Sequence, residues 1–169
     1  MEHHNRWEVG LSQVMVRRMR EEDIPDVVRI SEENFSTEAW GEAAFRRELT
    51  SPHSHPFVAV VNQKVVGYVV VWILYDEGTI MTLAVDRSMW GKGVGKELMR
   101  FLLKFLRGKV KKVLLDVRKS NVRAIRLYQR FGFRIVGERP GYYSDGENAL
   151  LMEYLYTEEV SHEGQALSS

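Results

Sequence analysis

Three glycines stand at alternate positions in the stretch MWGKGVGKEL, residues 89–98. Gly91, Gly93 and Gly95 follow a β-branched, strand-like run and precede an amphipathic, helix-like run. Glycine allows consecutive backbone N–H groups to turn toward one point, and the amino end of a helix adds unpaired N–H groups. The segment therefore predicts an anion site made of backbone amides. From the loop alone, a glycine-rich helix start that binds nothing is an equal alternative.

The residues around the glycines exclude two common phosphate-binding loops. A Walker A loop has Ser or Thr directly after its Lys, whereas Lys96 is followed by Glu97, and the glycine spacing here is also too short. The third glycine of the Rossmann fingerprint is missing as well. A phosphate bound here would therefore belong to another class of ligand.

The composition limits the partners that the chain can have. Its 169 residues, 44% of them hydrophobic, suit one globular domain with a substantial core. The formal net charge is only +1, so no overall field attracts nucleic acid or an anionic membrane. No apolar run approaches the ~20 residues of a membrane span, and the start MEHHNRWEVG lacks the apolar core of a signal peptide. We therefore expect a cytoplasmic protein without a nucleic-acid or membrane partner.

The cysteine and histidine content narrows the chemistry further. The chain has no cysteine, which excludes thiolate metal ligands and a cysteine nucleophile. The pairs His3 with His4 and His53 with His55 resemble metal ligands only in isolation, because no third ligand follows at a convincing spacing. We expect no metal, and any group transfer would be direct or would use another nucleophile.

Hydrophobic periodicity predicts one domain over residues 14–156, in which strands and helices alternate with short connections. Residues 1–13 and 157–169 lack periodicity and are predicted to be flexible. The predicted strands are 14–19, 56–61, 64–74, 78–85, 111–117, 133–138 and 149–156. The predicted helices are 21–35, 41–50, 96–106 and 121–131. The second, third and fourth strands are separated by short turns, so we expect them to form an antiparallel meander.

The order of these elements, with the glycine loop after the meander and SNVRAIRLYQRFGF at residues 120–133, resembles the GNAT superfamily of acyl-CoA-dependent N-acyltransferases. The resemblance implies an α/β fold with a mixed, mostly antiparallel sheet of about seven strands, flanked by about four helices and split beside an acetyl-CoA site. The segments LLDVRKSNVRAIRLYQRFGF and GYYSDGENALLM, together with the loop FSTEAW, are similar to those of RimI-type N-terminal protein acetyltransferases.

The family signature is Arg or Gln, two residues, Gly, one residue, and Gly or Ala, and it falls here on WGKGVG. Trp90 cannot supply the polar side chain usual at the first position, so backbone amides would hold the coenzyme A pyrophosphate. The residues implied in that contact are Gly91, Lys92, Gly93, Val94, Gly95 and Lys96. The backbone of Leu83, Ala84 and Val85 would pair with the pantetheine amides as another strand would. Asn121 would touch the pantetheine arm, cap the following helix, or do both.

The resemblance also implies the catalytic pair. Asp116 takes the place of the base, where Glu is usual; because Asp is shorter by about 1.5 Å, it would reach the amine through water. Glu77 is the reserve candidate. The alternative for Asp116 is a strand-end carboxylate paired with Arg118 or Lys119. Tyr128 takes the place of the general acid, and its alternative role is that of a partly buried packing residue with a bonded hydroxyl.

For the acceptor, the resemblance implies that Tyr142 and Tyr143 clamp a peptide backbone, with Trp40 in the NFSTEAW loop opposite. The alternative for the tyrosine pair is packing within a hairpin. We predict direct transfer of acetyl from acetyl-CoA to the N-terminal amine of a protein, with a ribosomal protein as one candidate acceptor. The alternatives are a GNAT enzyme that acetylates a small-molecule amine or a lysine side chain, and a non-catalytic acyl-CoA-binding module. The oligomeric state stays open.

Overall fold

The computed structural model describes residues 13–157. Apart from Gln13 and Thr157, the flexible ends predicted from the sequence lie outside these residues. Within residues 13–157, no helix combines the length and apolar character needed to cross a membrane.

The order of strands and helices follows the sequence prediction closely. The strands are β1 (Met15–Arg18), β2 (Ser54–Val61), β3 (Lys64–Leu74), β4 (Glu77–Val85), β5 (Lys112–Arg118), β6 (Arg134–Arg139) and β7 (Ala149–Leu155). The α-helices are α1 (Ile24–Asn34), α2 (Glu42–Thr50), α3 (Val94–Leu106) and α4 (Val122–Arg130). Short 3₁₀ turns at Glu21–Asp23 and Arg87–Met89 precede α1 and α3, so the first of the predicted helices begins three residues later as an α-helix.

The strands form a mixed sheet in the order β1-β2-β3-β4-β5-β7-β6. The pairs β1/β2, β2/β3, β5/β7 and β6/β7 are antiparallel, and β4/β5 is parallel. The parallel ladder comprises the four pairs from Glu77↔Lys112 to Ile80↔Leu115, whereas β4 continues to Val85 and β5 to Arg118. The predicted α/β fold with a mixed, mostly antiparallel sheet is therefore confirmed.

The described residues group into two compact units. The first contains the residues up to Trp72 together with Met81–Leu102, and the second contains Ile73–Ile80 and the residues from Leu103 onward. The prediction that residues 14–156 form a single domain stays a prediction.

The core of the first unit is built by α1, α2 and strands β2 to β4. Its buried members are Met19, Ile24, Val27, Ile30, Phe45, Val58, Val65, Tyr68, Val70 and Ala84. The Tyr68 hydroxyl hydrogen-bonds Thr82 Oγ1 at 2.8 Å inside this core. Burial raises the pKa of Tyr68 to about 12, so the phenol stays neutral and remains a hydrogen-bonding partner at physiological pH.

The amino end of α3 packs closely against β3 in the same unit. A Cβ on Gly67 would lie 3.2 Å from the Ala84 carbonyl oxygen and 3.2 Å from Leu98 Cδ1. Only glycine therefore lets the first turns of α3 lie this close to the strand. Val94, Leu98 and Met99 are buried along this face of the helix, which fixes the position of the glycine loop just before it.

The second unit is built around β5. Val113, Leu115 and Val117 are buried and the residues between them are less so, as expected for a strand with one face on a core. The ring of Tyr128 on α4 lies 5.6 Å from that of Phe133, and both residues are buried. The alternation places Asp116 on the face opposite to the buried residues of β5.

Candidate active site

The glycine loop lies between β4 and α3 in the first unit. Gly91 and Gly93 have φ of 77° and 88°, values that side chains rarely adopt, which explains why glycine occupies both positions. Because α3 begins at Val94, the N–H groups of Val94, Gly95 and Lys96 belong to its first turn and have no partner within the helix. The Lys92 N–H instead donates to the Met89 carbonyl oxygen at 3.3 Å and stabilises the turn itself.

Asp86 anchors the start of this loop. Its Oδ1 accepts hydrogen bonds from Ser88 N at 2.9 Å and Ser88 Oγ at 2.8 Å, and its Oδ2 accepts one from Arg29 Nη1 on α1 at 3.1 Å. Burial raises the pKa of Asp86, but the hydrogen bonds from Ser88 and Arg29 outweigh it and hold that pKa below its ordinary value. The carboxylate therefore stays charged and holds the turn on α1.

The end of β4 is held by two side chains. Trp90 Nε1 and Asn34 Nδ2 each donate to the Val85 carbonyl oxygen, at 3.0 Å in both cases. Two donors occupy the two lone pairs of that oxygen. A ligand that pairs with this stretch would therefore use the other polar backbone groups of residues 83–85.

Trp40 is built into the core of the first unit. Its ring lies 5.2 Å from that of Phe45, and its backbone N–H donates to Ser31 Oγ at 2.8 Å. This contact holds the end of the NFSTEAW loop on α1. The half-buried indole packs against the core, and contact with an acceptor stays a prediction.

Asp116 in the second unit is paired with an arginine that sequence reasoning missed. Arg139 Nε on β6 donates to Asp116 Oδ1 at 2.9 Å, so this carboxylate has a partner from another strand. The Arg139 guanidinium also lies 5.7 Å from the centre of the Tyr142 ring. Burial raises the pKa of Tyr142, and the charge of Asp116 and a hydrogen bond to it raise it further. Asp116, Arg139 and Tyr142 thus form one cluster, which we call the Asp116 cluster.

Arg118, the last residue of β5, ties the β6–β7 hairpin to the end of that strand. Its Nη1 donates to Asp145 Oδ2 at 2.9 Å and to Glu147 Oε1 at 2.7 Å, and only 12% of its side chain is exposed. The guanidinium lies 4.3 Å from the centre of the Tyr143 ring. Ser120 N donates to Glu147 Oε2 at 2.8 Å. Tyr143 is therefore held against Arg118.

Residues 24–133 match the family model described as the Acetyltransferase (GNAT) family, which spans more than half of the chain. The chain belongs to the GNAT family. It is an acetyltransferase, as the agreement of family, fold and relatives shows.

Two relatives and one solved structure illustrate the similarity. The chain is 43% identical over 108 residues to the N-alpha-acetyltransferase RimI of Mycobacterium tuberculosis, covering 62% of this chain and 67% of the relative. It is 30% identical over 166 residues to an N-alpha-acetyltransferase of Saccharolobus solfataricus, covering 81% and 90%. The crystal structure of the ribosomal-protein-S18-alanine N-acetyltransferase from Escherichia coli superposes with a TM-score of 0.75 at 28% identity, covering 84% of this chain and 93% of that chain.

Among the GNAT signature residues, Trp90 departs from the expected chemistry. The sequence suggested that a polar contact to phosphate is lost at this position. In the structure, its indole N–H binds the Val85 carbonyl oxygen and its ring lies 5.1 Å from the Arg87 guanidinium. No local sequence signal indicates such a contact, because it depends on the path of the turn.

The remaining predicted residues of this GNAT chain all make contacts within the protein. Asn121 caps α4, since its Oδ1 accepts from Ala124 N at 3.2 Å, and any contact with pantetheine stays a prediction. Tyr128 is buried beside Phe133, and its role as an acid stays a prediction. Tyr142 and Tyr143 pack edge to face at 5.1 Å, with Tyr142 51% exposed and available to a ligand.

Glu77, the reserve base, lies at the far end of the strand ladder from Asp116. It is opposite Lys112 in register, and its Oε2 is 3.5 Å from Lys112 Nζ. Four residues along β5 separate Lys112 from Asp116, which corresponds to about 13 Å. Glu77 and Asp116 therefore cannot substitute for each other at one reacting atom.

Proposed function

We propose that this GNAT enzyme transfers acetyl from acetyl-CoA directly to the α-amine of a protein N-terminus. The observation that carries the acceptor assignment is the pair of tyrosines on the β6–β7 hairpin. Tyr142 is exposed and is hydrogen-bonded to Asp116. Support also comes from the relatives that are named as N-alpha-acetyltransferases. A ribosomal protein is one candidate acceptor, and the cytoplasm is the location we expect.

The glycine loop fits the phosphates of coenzyme A. Its positive φ values and the first-turn N–H groups of Val94, Gly95 and Lys96 offer a concave set of donors to an anion. The side chains of Lys92 and Lys96 are exposed beside this loop and add positive charge. The backbone of residues 83–85 would hold the pantetheine arm. When bound, acetyl-CoA supplies an activated thioester carbonyl.

Asp116 would act as the base for the acceptor. An α-amine has a pKa of about 7.7–8.0, so a carboxylate that takes its proton through one water is sufficient near neutral pH. Arg139 orients the Asp116 carboxylate through a hydrogen bond of 2.9 Å from Nε to Oδ1. The freed amine forms the new C–N bond with the acetyl carbonyl carbon as the C–S bond breaks.

Tyr128 would protonate the departing thiolate. A thiol has an ordinary pKa of about 8.5, so a proton donor lowers the barrier at neutral pH. The buried setting of Tyr128 beside Phe133 excludes bulk water from its ring and fixes its orientation. No covalent acyl-enzyme is required, in keeping with the absence of cysteine from the sequence.

The test is a matched pair of acceptor peptides. One peptide has a free N-terminus and no lysine, and the other has a blocked N-terminus and one internal lysine. We expect acetylation of the first and none of the second, measured by mass spectrometry with acetyl-CoA in excess. Faster acetylation of the blocked peptide would identify a lysine acetyltransferase. Binding of acetyl-CoA without turnover of any amine would identify a non-catalytic module.

A further inference from the structure

Trp90 joins the end of β4 to the glycine loop. Its Nε1 donates to the carbonyl oxygen of Val85, the last residue of the strand, at 3.0 Å. This contact closes the chain segment between Val85 and Trp90 and fixes the point from which the loop begins. The same carbonyl oxygen accepts from Asn34 Nδ2, which also donates to the Ile30 carbonyl oxygen at 2.9 Å. The strand end is thus fixed to both α1 and the loop.

The Trp90 ring is also held in place. The Arg87 guanidinium lies 5.1 Å from its centre, within the range of a cation–π contact. Arg87 Nη2 in turn donates to the Glu33 carbonyl oxygen at 2.6 Å, near the end of α1. The indole is therefore held from two sides, by its N–H group and by its ring face.

The position of Trp90 determines the direction of the amides that follow. Its backbone is extended, with φ −62° and ψ 144°, and the chain then reverses through Gly91 and Gly93 with positive φ. Glycines have the widest choice of conformations, so they do not define the loop by themselves. Packing of Val94 and Leu98 holds the α3 end of the loop, so a fixed residue directly before the glycines holds the other end and sets the path of the amides between them.

We propose that Trp90 is a positioning residue for acetyl-CoA, which aligns the loop amides through its bond to Val85. This inference rests on the proposed binding of acetyl-CoA by the loop. Trp90 takes the place of the Arg or Gln of the family signature without touching phosphate itself. The pyrophosphate is then held by main-chain groups, and the side chain contributes through the geometry of the loop.

The decisive variant is Trp90→Phe, which removes the indole N–H and keeps an aromatic face for Arg87. One lost hydrogen bond of this kind corresponds to about 3- to 10-fold weaker binding of acetyl-CoA, measured by calorimetry. The turnover rate at saturating acetyl-CoA should stay within about twofold of the wild-type rate, because the substitution leaves the reacting groups in place.

Trp72→Phe is the matched control in the same unit. Trp72 Nε1 donates to Glu48 Oε1 at 2.7 Å, so this variant also loses one indole hydrogen bond, away from the loop. It should lower the melting temperature with no change in the affinity for acetyl-CoA.

Two results would overturn the assignment of Trp90: unchanged binding by Trp90→Phe, or equal weakening of acetyl-CoA binding in both Trp→Phe variants. Failure of the unchanged enzyme to bind acetyl-CoA would instead remove the proposed function. The two failures are therefore distinguishable.

Discussion

The glycine loop and the β6–β7 hairpin are both candidate binding segments, but they are stabilised by different kinds of contact. The loop from Asp86 to Val94 depends mainly on positive-φ glycines and on hydrogen bonds to main-chain carbonyl oxygens, such as that from Trp90 to Val85, with one ion pair from Asp86 to Arg29 at its start. The hairpin depends on side-chain charges, with Arg118 binding Asp145 and Glu147. Contacts to the main chain are little affected by salt, whereas ion pairs near the surface are screened by it.

This difference indicates a division of labour between the two segments. A cofactor with an invariant pyrophosphate suits a rigid frame of backbone amides. An acceptor with variable side chains suits a hairpin whose position is set by side chains. Substitutions in the glycine loop should therefore change the binding of acetyl-CoA. Substitutions of Tyr128 or of the residues that hold the hairpin should change the rate or the use of the acceptor.

The largest effect is expected for Tyr128→Phe. The variant keeps the ring that packs on Phe133 and removes only the hydroxyl. The rate at saturating substrates should fall about 10²- to 10⁴-fold, because proton donation to the thiolate is lost. A calorimetric titration should give an unchanged affinity for acetyl-CoA. A normal rate would show that Tyr128 is a packing residue, and a parallel loss of binding and rate would break the proposed division.

A smaller effect, confined to cofactor binding, is expected for Gly93→Val. A β-branched residue at φ 88° is strained by about 1–3 kcal/mol, and relief of that strain turns the loop amides away from the phosphate. Acetyl-CoA binding should weaken about 10- to 100-fold by calorimetry. Gly108→Val is the control, since Gly108 has φ 84° and no atoms near a new Cβ. Equal acetyl-CoA affinities in the two variants would contradict a phosphate role for the loop.

The smallest effect is expected for Arg118→Met. Loss of its ion pairs and its contact with Tyr143 should loosen the hairpin and raise KM for the acceptor peptide about 3- to 10-fold. The affinity for acetyl-CoA should not change. Arg130→Met, which removes an exposed charge from α4, is the control and should leave the acceptor KM unchanged.

Arg118→Met also gives a pH test of the network of Arg118, Asp145 and Glu147 in the hairpin. A backbone hydrogen bond from Glu147 and the pairing with Arg118 hold the pKa of Asp145 below its ordinary value of 3.8. Bonds from Ser120 and Arg118 hold the pKa of Glu147 below 4.5. Because the pKa of each carboxyl group is lower in the folded protein, the charged groups stabilise the folded state above their ordinary pKa. This stabilisation is lost as pH falls through the pKa of the folded state. The melting-temperature gap between the unchanged enzyme and Arg118→Met should therefore shrink from pH 7 to pH 3, and a constant gap would contradict the network.

The fold could be predicted from the sequence because its signals are local. Alternation predicted β5, helical spacing predicted α3, and the glycines indicated a special backbone conformation that positive φ values bear out. The pairing of Asp116 with Arg139 could not be predicted, because local sequence patterns point only to near neighbours such as Arg118 and Lys119. Arg139 comes from β6, and only the strand order β5-β7-β6 brings it within reach.

The contact of Trp90 was missed for a related reason. The sequence shows that an indole replaces a polar group, but the bond from an indole to a carbonyl five residues earlier depends on the turn between them. The end of β4 reaches the indole only because the 3₁₀ turn at Arg87–Met89 folds the chain back.

The strand order in the second unit also determines when the Asp116 cluster can first form. β5 and β6 do not pair with each other, because β7 lies between them and pairs with both. A ribosome that has delivered the chain through Arg139 has therefore made two strands that still lack their common partner. Asp116 and Arg139 meet only after Ala149–Leu155 has been synthesised and inserted. The nascent chain thus carries the residues of its glycine loop before it can complete the Asp116 cluster.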